Sequence, residues 1–233
     1  MSSGRRDGTL HPLPTRDARV LDHIALYGLS VRVILARLFF AGRSPANVLQ
    51  RLCTTGRLQA RGLRGGPLRY YQLSPTEAAR RGLPHRALPM GTRALTEALA
   101  VLWFCVADEP RRYRLERPEL TSLLGATPPH GPHVLEPGDP ARVTRCYVPG
   151  PQTRPAVVVK TLTRAIDATQ GVPGLASWVG HRLYGFAVLT DAPPRQELLA
   201  RALTRAALPA AVRVAYAPAP HSLADALRTL AVR

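Results

Sequence analysis

Acidic side chains are scarce in this sequence, where 15 Asp and Glu stand against 32 Lys and Arg for a formal net charge of +17. Lysine is scarce as well, because Lys160 is its single occurrence and arginine carries nearly all the positive charge. A GC-rich genome accounts for arginine in place of lysine, but it does not account for the shortage of acids. The charge therefore predicts a polyanionic partner, either nucleic acid or an acidic membrane surface.

Features that mark several other classes of protein are also missing. No run of about 18 apolar residues exists, so the sequence predicts no transmembrane helix. The opening segment "MSSGRRDGTLHPLPTRD" lacks the apolar core of a signal peptide. The three cysteines, Cys53, Cys105 and Cys146, are odd in number and widely spaced, as expected of reduced thiols inside a cell. We therefore expect a cytoplasmic protein without a membrane partner.

Helix start and stop signals follow one another in the first third of the chain. Residues 1–14 read as a flexible basic arm, since the prolines at its end do not continue a helix. A first helix begins at Thr15 and ends at Gly28, and Ser30 is predicted to cap a second. Ser44 at the cap and Pro45 at the first helical position predict a third helix, which ends at Gly56.

Two short arginine-rich runs then surround a glycine pair. The runs Leu58–Leu63 and Leu68–Leu73 are predicted strands joined by "RGGP", because glycines suit the positive φ values of a hairpin tip. Ser74 and Glu77 have the spacing of a capping box, which predicts a fourth helix directly after the hairpin. The order of these elements predicts a winged helix-turn-helix domain over residues 15–90.

The remaining residues, 91–233, alternate between strand and helix patterns and predict a small α/β domain. The apolar segment Ala94–Ala107 is interpreted as a buried helix, either a core element or a dimer seam. The proline-rich stretch Pro128–Pro140 is predicted to be a loop, and "RVTRCYVP" and "RPAVVVKTLT" are predicted to be paired strands. The fold class expected for the whole chain is therefore α+β.

The third helix and the hairpin carry the candidate nucleic-acid contacts. In a helix-turn-helix, the second helix of the motif enters the major groove, where Asn and Gln can bind adenine and Arg can bind guanine or phosphate. The hairpin arginines are suited to phosphates and to the minor groove. The predicted DNA-binding residues are Arg43, Ser44, Asn47, Gln50, Arg51, Arg57, Arg61, Arg64 and Arg69.

The segment "TRDARVLDHIALYGLSVRVILARLFF" followed by "SPANVLQRLCTTGRLQARGLRGGPLRYYQLSPTEAARRG" resembles the replication-relaxation family of plasmid and mobile-element proteins. It resembles MarR- and PadR-type winged-helix regulators more loosely. The shared pattern covers about residues 15–82. The resemblance implies binding of double-stranded DNA in replication, mobilisation or transcription control, with a homodimer and a relaxase or replication protein as candidate partners.

The resemblance also directs attention to a restriction-endonuclease-like core in the second region. Such nucleases hold Mg²⁺ with an Asp on one strand and an acid two residues before a Lys on the next. Here Pro149-Gly150 and Val158-Val159-Lys160 have the spacing but lack both carboxylates, so one interpretation is a degenerate, inactive nuclease fold and the other is a plain hairpin. His130 and His133 are too isolated in a proline-rich loop to predict a metal site.

No Walker-type phosphate loop and no GxSxG nucleophile motif occurs in the sequence. We therefore expect a non-enzymatic DNA-binding protein with no metal or other cofactor. Two alternatives remain open from the sequence, namely a metal-dependent nuclease with acids elsewhere in the chain and a protein–protein adaptor with an acidic partner.

Overall fold

The structure of the chain, a computed structural model, describes residues 14–63 and 67–232. The predicted basic arm, residues 1–14, lies outside the described residues except at its last position, and Arg64 at the predicted hairpin tip also lies outside them. The described chain is a mixed α+β protein with two β-sheets, which confirms the expected fold class at that level.

Helices and a small sheet alternate in the first part of the chain. The elements are α1 (Thr15–Tyr27), β1 (Ser30–Val31), α2 (Arg32–Phe39), α3 (Ala46–Thr54), β2 (Leu58–Gly62), β3 (Arg69–Leu73) and α4 (Pro75–Arg80). The strands form an antiparallel sheet in the order β1-β3-β2, in which Leu58 lies opposite Leu73. The predicted helices and the hairpin are confirmed, whereas the sequence pattern does not indicate β1.

The chain between α1 and α2 differs from the prediction. The helix α1 ends at Gly28, which adopts a left-handed φ of 82° and donates its N–H to the carbonyl of Ile24 at 2.9 Å. The next residues run extended, and the Oγ of Ser30 lies 3.1 Å from Nε2 of the buried His23. The prediction that Ser30 caps α2 is therefore wrong, because its hydroxyl contacts His23 and α2 begins only at Arg32.

One apolar cluster joins the helices of this first part to its sheet. In α1 and α3 buried residues recur at spacings of three and four, which places them on one face of each helix. The cluster contains Val20, Leu21, Ile24, Leu35, Val48, Leu49, Leu52, Leu58 and Leu73. The inner face of α3 packs against this cluster, and the outer face of the helix is exposed to solvent.

The second part begins with a 3₁₀ turn at Pro84–Ala87 and contains the larger sheet. Its elements are α5 (Thr92–Val106), β4 (Tyr113–Leu115), α6 (Arg117–Leu124), β5 (His133–Glu136), β6 (Arg142–Tyr147), α7 (Pro155–Gln170), α8 (Leu175–Gly180), β7 (Tyr184–Thr190), α9 (Pro193–Ala206), β8 (Ala211–Tyr216) and α10 (Leu223–Val232). The strands lie in chain order, antiparallel from β4 to β6 and parallel from β6 to β8.

Both faces of the larger sheet are covered. Along β7, Ala187 and Leu189 belong to the cluster that contains α5, whereas Phe186 and Val188 belong to the cluster that contains α7, α8 and α9. Alternate residues of a strand point to opposite faces, so the sheet lies between helices on its two sides. This covering explains why β7 is buried along its whole length and reads as a continuous apolar run.

Two predictions about the second part are wrong. The segment Pro128–Pro140 contains the strand β5, whose carbonyl and N–H groups pair with β4 and β6. The segment "RPAVVVKTLT" is not a strand but the start of α7, in which Val158, Leu162 and Ile166 form a buried stripe at helical spacing. Pro155 suits the first position of a helix, which favours this outcome.

The helix α5 is a core element. Its residues from Leu99 to Val106 are all buried within the one chain, against the larger sheet and against residues of the first part such as Tyr27 and Ile34. One apolar cluster therefore crosses the predicted boundary near residue 90. Among the described residues, no helix combines the length and the hydrophobicity needed to span a bilayer.

Candidate nucleic-acid interface

The outer face of α3 is polar and lacks acidic residues. Val48, Leu49 and Leu52 pack inward, while Asn47 and Gln50 are exposed, as the amphipathic pattern predicts. The amide side chains of Asn47 and Gln50 lie about one turn apart along the helix, so both are presented to the same side. This face can donate and accept hydrogen bonds at the edge of a base pair.

The turn before α3 presents further donors. Arg43 and Ser44 are both exposed, and the Oγ of Ser44 accepts the N–H of Ala46 at 3.4 Å. The helix begins at Ala46, one residue later than the predicted start at Pro45. No acidic residue occupies the first turn, so the positive end of the helix dipole is uncompensated there and suits an anion such as phosphate.

Arg51 has a structural partner that the sequence pattern does not reveal. Its Nη2 forms an ion pair with Oδ2 of Asp17 on α1, and the carboxylate of Asp17 is fully buried. The side chain of Arg51 nevertheless remains 53% exposed. Arg51 therefore neutralises a buried acid with one edge of its guanidinium and leaves the rest accessible at the α3 surface.

Arg57 is buried, which differs from its predicted role as an exposed hairpin cation. Its Nη1 donates to Oε2 of Glu77 at 3.0 Å. Glu77 also accepts from Arg80, at 2.6 Å from Nη2, and from Arg81, at 2.7 Å from Nε. Arg81 in turn pairs with Asp22 of α1 at 2.7 Å. We call these five residues the Glu77 cluster.

The Glu77 cluster changes the acidity of its central carboxyl group. Burial alone would raise the pKa of Glu77, but hydrogen bonds from Arg80, Arg81 and Arg57 outweigh it and lower the pKa to about 2. The predicted capping box is only half formed, because the Oγ of Ser74 accepts the N–H of Glu77 while the Glu77 carboxylate is held by the arginines. The cluster joins α1, the residue that precedes β2, and the end of α4.

The hairpin arginines divide into two kinds. Arg61 is half-buried and turns back toward the body of the protein, since its Nη2 donates to Oε1 of Gln59 at 3.0 Å. Arg69 is exposed and forms no ion pair with the residues that the structure describes. Arg64 lies outside the described residues. Of the described hairpin positions, Arg69 is the one that is accessible to a phosphate.

Two exposed arginines on α1 are absent from the predicted set. The guanidinium carbon of Arg16 lies 4.7 Å from the centroid of the Phe40 ring, and that of Arg19 lies 5.7 Å from the centroid of Phe39. These cation–π contacts hold both arginines over the end of α2. Their spacing of three residues on the polar side of α1 is the sequence signal that indicates them.

The second region does not assemble the predicted nuclease constellation. Lys160 is exposed on the helix α7, so the strand that would place it beside Pro149-Gly150 does not exist. His133 is buried on β5, with its Nε2 2.6 Å from the hydroxyl of Tyr184, and burial lowers its pKa to about 4. No group of three or more His, Cys, Asp or Glu suited to a metal ion occurs within residues 14–63 and 67–232.

The comparisons with known proteins add no family. Neither the family models, nor the curated proteins, nor the solved structures contain a match to this chain. The resemblance to replication-relaxation proteins therefore stays a prediction.

Proposed function

We propose that the first part of the chain is a winged helix-turn-helix that binds double-stranded DNA, with α3 in the major groove and the β2–β3 hairpin as the wing. The observation that carries this proposal is the α3 surface, where Asn47 and Gln50 stand exposed between Arg43 at one end of the helix and Arg51 at the other. The amide side chains of Asn47 and Gln50 can contact base edges, and the arginines on either side of them can contact phosphates.

The charge balance of this part supports the proposal. Residues 1–82 contain 14 arginines and four acids, Asp7, Asp17, Asp22 and Glu77. Each of the three acids in the described range is already engaged in an ion pair with an arginine. The exposed arginines that remain are therefore not opposed by a free carboxylate among the described residues of this part, and a polyanion meets little repulsion.

The structure narrows the set of contacts in the proposal. We retain Arg43, Ser44, Asn47, Gln50 and Arg69 as direct contacts, with Arg51 as a contact that also supports the fold. Arg57 is assigned to the fold because it is buried against Glu77, and Arg61 because it folds back onto Gln59. Arg16 and Arg19 join the set as phosphate contacts beside α2.

The second region is proposed to be non-catalytic, serving for dimerisation, partner binding or further DNA contact. The degenerate-nuclease interpretation of the sequence depended on a strand that carries Lys160, and the helical conformation of that segment removes its main support. The biological setting that we propose is replication or mobilisation of a mobile element, or transcription control, with a relaxase or replication protein as a candidate partner.

The test is binding of a random-sequence duplex and of plasmid DNA across a salt series, with and without Mg²⁺. We expect log K to fall linearly with log salt concentration, and we expect Arg43→Ala and Arg69→Ala each to reduce the slope by about 0.9, one phosphate contact. The matched control is Arg164→Ala, an exposed arginine on α7 that should leave the slope unchanged.

Three results would contradict the proposal in distinguishable ways. Equal slopes for wild type, Arg43→Ala and Arg164→Ala would mean that DNA binds at another surface. Cleavage of plasmid DNA that requires Mg²⁺ and survives repurification would establish a nuclease. Absence of duplex binding at low salt would favour an adaptor whose basic face meets an acidic protein.

A further inference from the structure

Two arginines beside the end of α1 form no ion pair with the residues that the structure describes. Arg86 lies in the 3₁₀ turn, and its Nη2 donates to the carbonyl of Leu26 at 3.2 Å. Arg114 lies on β4, and its Nη1 donates to the carbonyl of Tyr27 at 2.9 Å. No carboxylate in the described part of the chain lies within 4.0 Å of either guanidinium. The Nε of Arg86 is buried and has no hydrogen-bond acceptor among the described residues.

This arrangement is costly for the folded protein. Burial, together with the positive charge of Arg114, lowers the pKa of Arg86 to about 10, and burial lowers the pKa of Arg114 as well. Buried charges are normally paired, because their lost hydration has to be replaced. Here the positive charge of Arg114 disfavours that of Arg86, and the carboxylates that favour the two cations, Glu116 and Glu97, form no ion pair with them.

Capping of α1 explains only part of the arrangement. The carbonyls of Leu26 and Tyr27 lie in the last turn of α1, where cations are favourable. A guanidinium has five N–H donors, however, and each of these two makes one hydrogen bond within the described structure. The remaining donors are in excess of what the end of the helix requires.

A cavity of about 350 Å³ opens beside the two guanidinium groups. Arg86 and Arg114 line it together with Glu97, the one acid of its lining in the described structure, so the lining carries one positive charge in excess, while Glu116 acts on Arg86 from outside the lining. The rest of the wall includes the apolar side chains of Met90 and Val101. The volume and the mixed wall are typical of a site for a small molecule with a charged end and an apolar body.

We propose that this cavity binds a small organic monoanion, whose carboxylate is held by Arg86 and Arg114 and whose hydrocarbon part packs against Met90 and Val101. A carboxylate matches the planar fork of a guanidinium, and it would relieve the repulsion between the two cations. Arg86 lies in the 3₁₀ turn and Arg114 on β4, and both also contact the last turn of α1, so the ligand site lies where the second part meets the first. This site does not depend on the proposed DNA binding.

The test is titration calorimetry of the full chain at constant ionic strength with four probes, which are cyclohexanecarboxylate, acetate, inorganic phosphate and cyclohexylammonium. We expect saturable one-to-one binding of cyclohexanecarboxylate, roughly tenfold tighter than acetate because the ring buries apolar surface. Arg86→Gln and Arg114→Gln should weaken that binding at least about tenfold. Arg164→Gln, an exposed arginine of α7, is the matched control and should bind as wild type does.

The probes keep the proposal falsifiable if the arginine variants fail to fold, because the wild-type series alone discriminates. Binding of cyclohexylammonium as tight as that of cyclohexanecarboxylate would show that charge is not recognised and would overturn the proposal. Tighter binding of inorganic phosphate than of cyclohexanecarboxylate would assign the site to an inorganic anion and overturn the organic ligand. If all the anions gave equally weak heats of binding in wild type, Arg114→Gln and Arg164→Gln, the cavity would not be an anion site and the proposal would be wrong.

Discussion

The α3 surface and the Glu77 cluster are both rich in arginine, yet they differ in where the acids lie. In the Glu77 cluster, Arg57, Arg80 and Arg81 converge on one carboxylate that is 2% exposed, so these cations hold the fold together. At the α3 surface, Arg43 has no ion-pair partner in the described structure, and it is exposed. A count of arginines therefore overstates the number of cations that are free at the surface, and the positions of the few acids show which ones are not.

Removal of Glu77, the central acid of the Glu77 cluster, should have the largest effect on stability among the changes that separate the two arginine-rich regions. Glu77→Gln leaves Arg57 buried without a counter-charge, so we expect the free energy of unfolding in urea to fall by about 3 kcal/mol. The matched control is Asp225→Asn, which breaks the exposed pair with Arg228 and should cost less than about 1 kcal/mol. Similar losses for the two variants would show that the Glu77 cluster is no more than a surface network.

Acid should weaken the same cluster without any substitution. The pKa of Glu77 is lowered to about 2 in the folded protein, against about 4.3 in an unfolded chain, so its contribution is complete above the unfolded value and is lost as pH falls toward 2. The difference corresponds to about 3 kcal/mol. Urea denaturation between these limits should therefore show a steeper loss of stability in wild type than in Glu77→Gln.

Two buried histidines also lower the stability in acid, so the pH profile of wild type has to be compared with that of Glu77→Gln. Burial lowers the pKa of His23 and of His133 to about 4, so each also removes stability as pH falls from about 6.5 toward 4. The stability that the two histidines remove is the same in wild type and in Glu77→Gln, so it cancels when the free energies of unfolding of the two proteins are subtracted. Parallel pH profiles for the two proteins would contradict the assignment of the lowered pKa to Glu77.

Local patterns predicted much of the fold, and their failures have physical reasons. The helices of the first part and the strand β7 follow from apolar spacing and from a continuous apolar run. The run Val157–Val159 favours a strand by its β-branched residues, yet Val158, Leu162 and Ile166 bury one helical stripe, and burial outweighs propensity. The strand β5 lies in a proline-rich segment and forms through pairing with β6, the next strand along the chain, and with β4, which ends at Leu115.

The candidate site was predictable where it depends on one helix and not where it depends on distant partners. Exposure of Asn47 and Gln50 follows from the amphipathic pattern of α3 alone. Burial of Arg57 depends on Glu77, 20 residues away, and the pairing of Arg51 depends on Asp17, 34 residues away. No local pattern reports such contacts, so the two arginines resembled free cations in the sequence.

The smallest expected effect is on the preference for a DNA sequence. It distinguishes the amide side chains of α3 from an arginine that contacts only phosphate. Asn47→Ala or Gln50→Ala should reduce discrimination at one base position of a selected site by about 1–3 kcal/mol, because a bidentate contact to a base edge is lost. Arg69→Ala should instead weaken binding to selected and random duplexes equally, because a phosphate carries no sequence information. The measurement is competition between a site selected from a random pool and single-base variants of it. A uniform loss in all three variants would mean that α3 lies against the backbone, so that the groove-facing role belongs to another element.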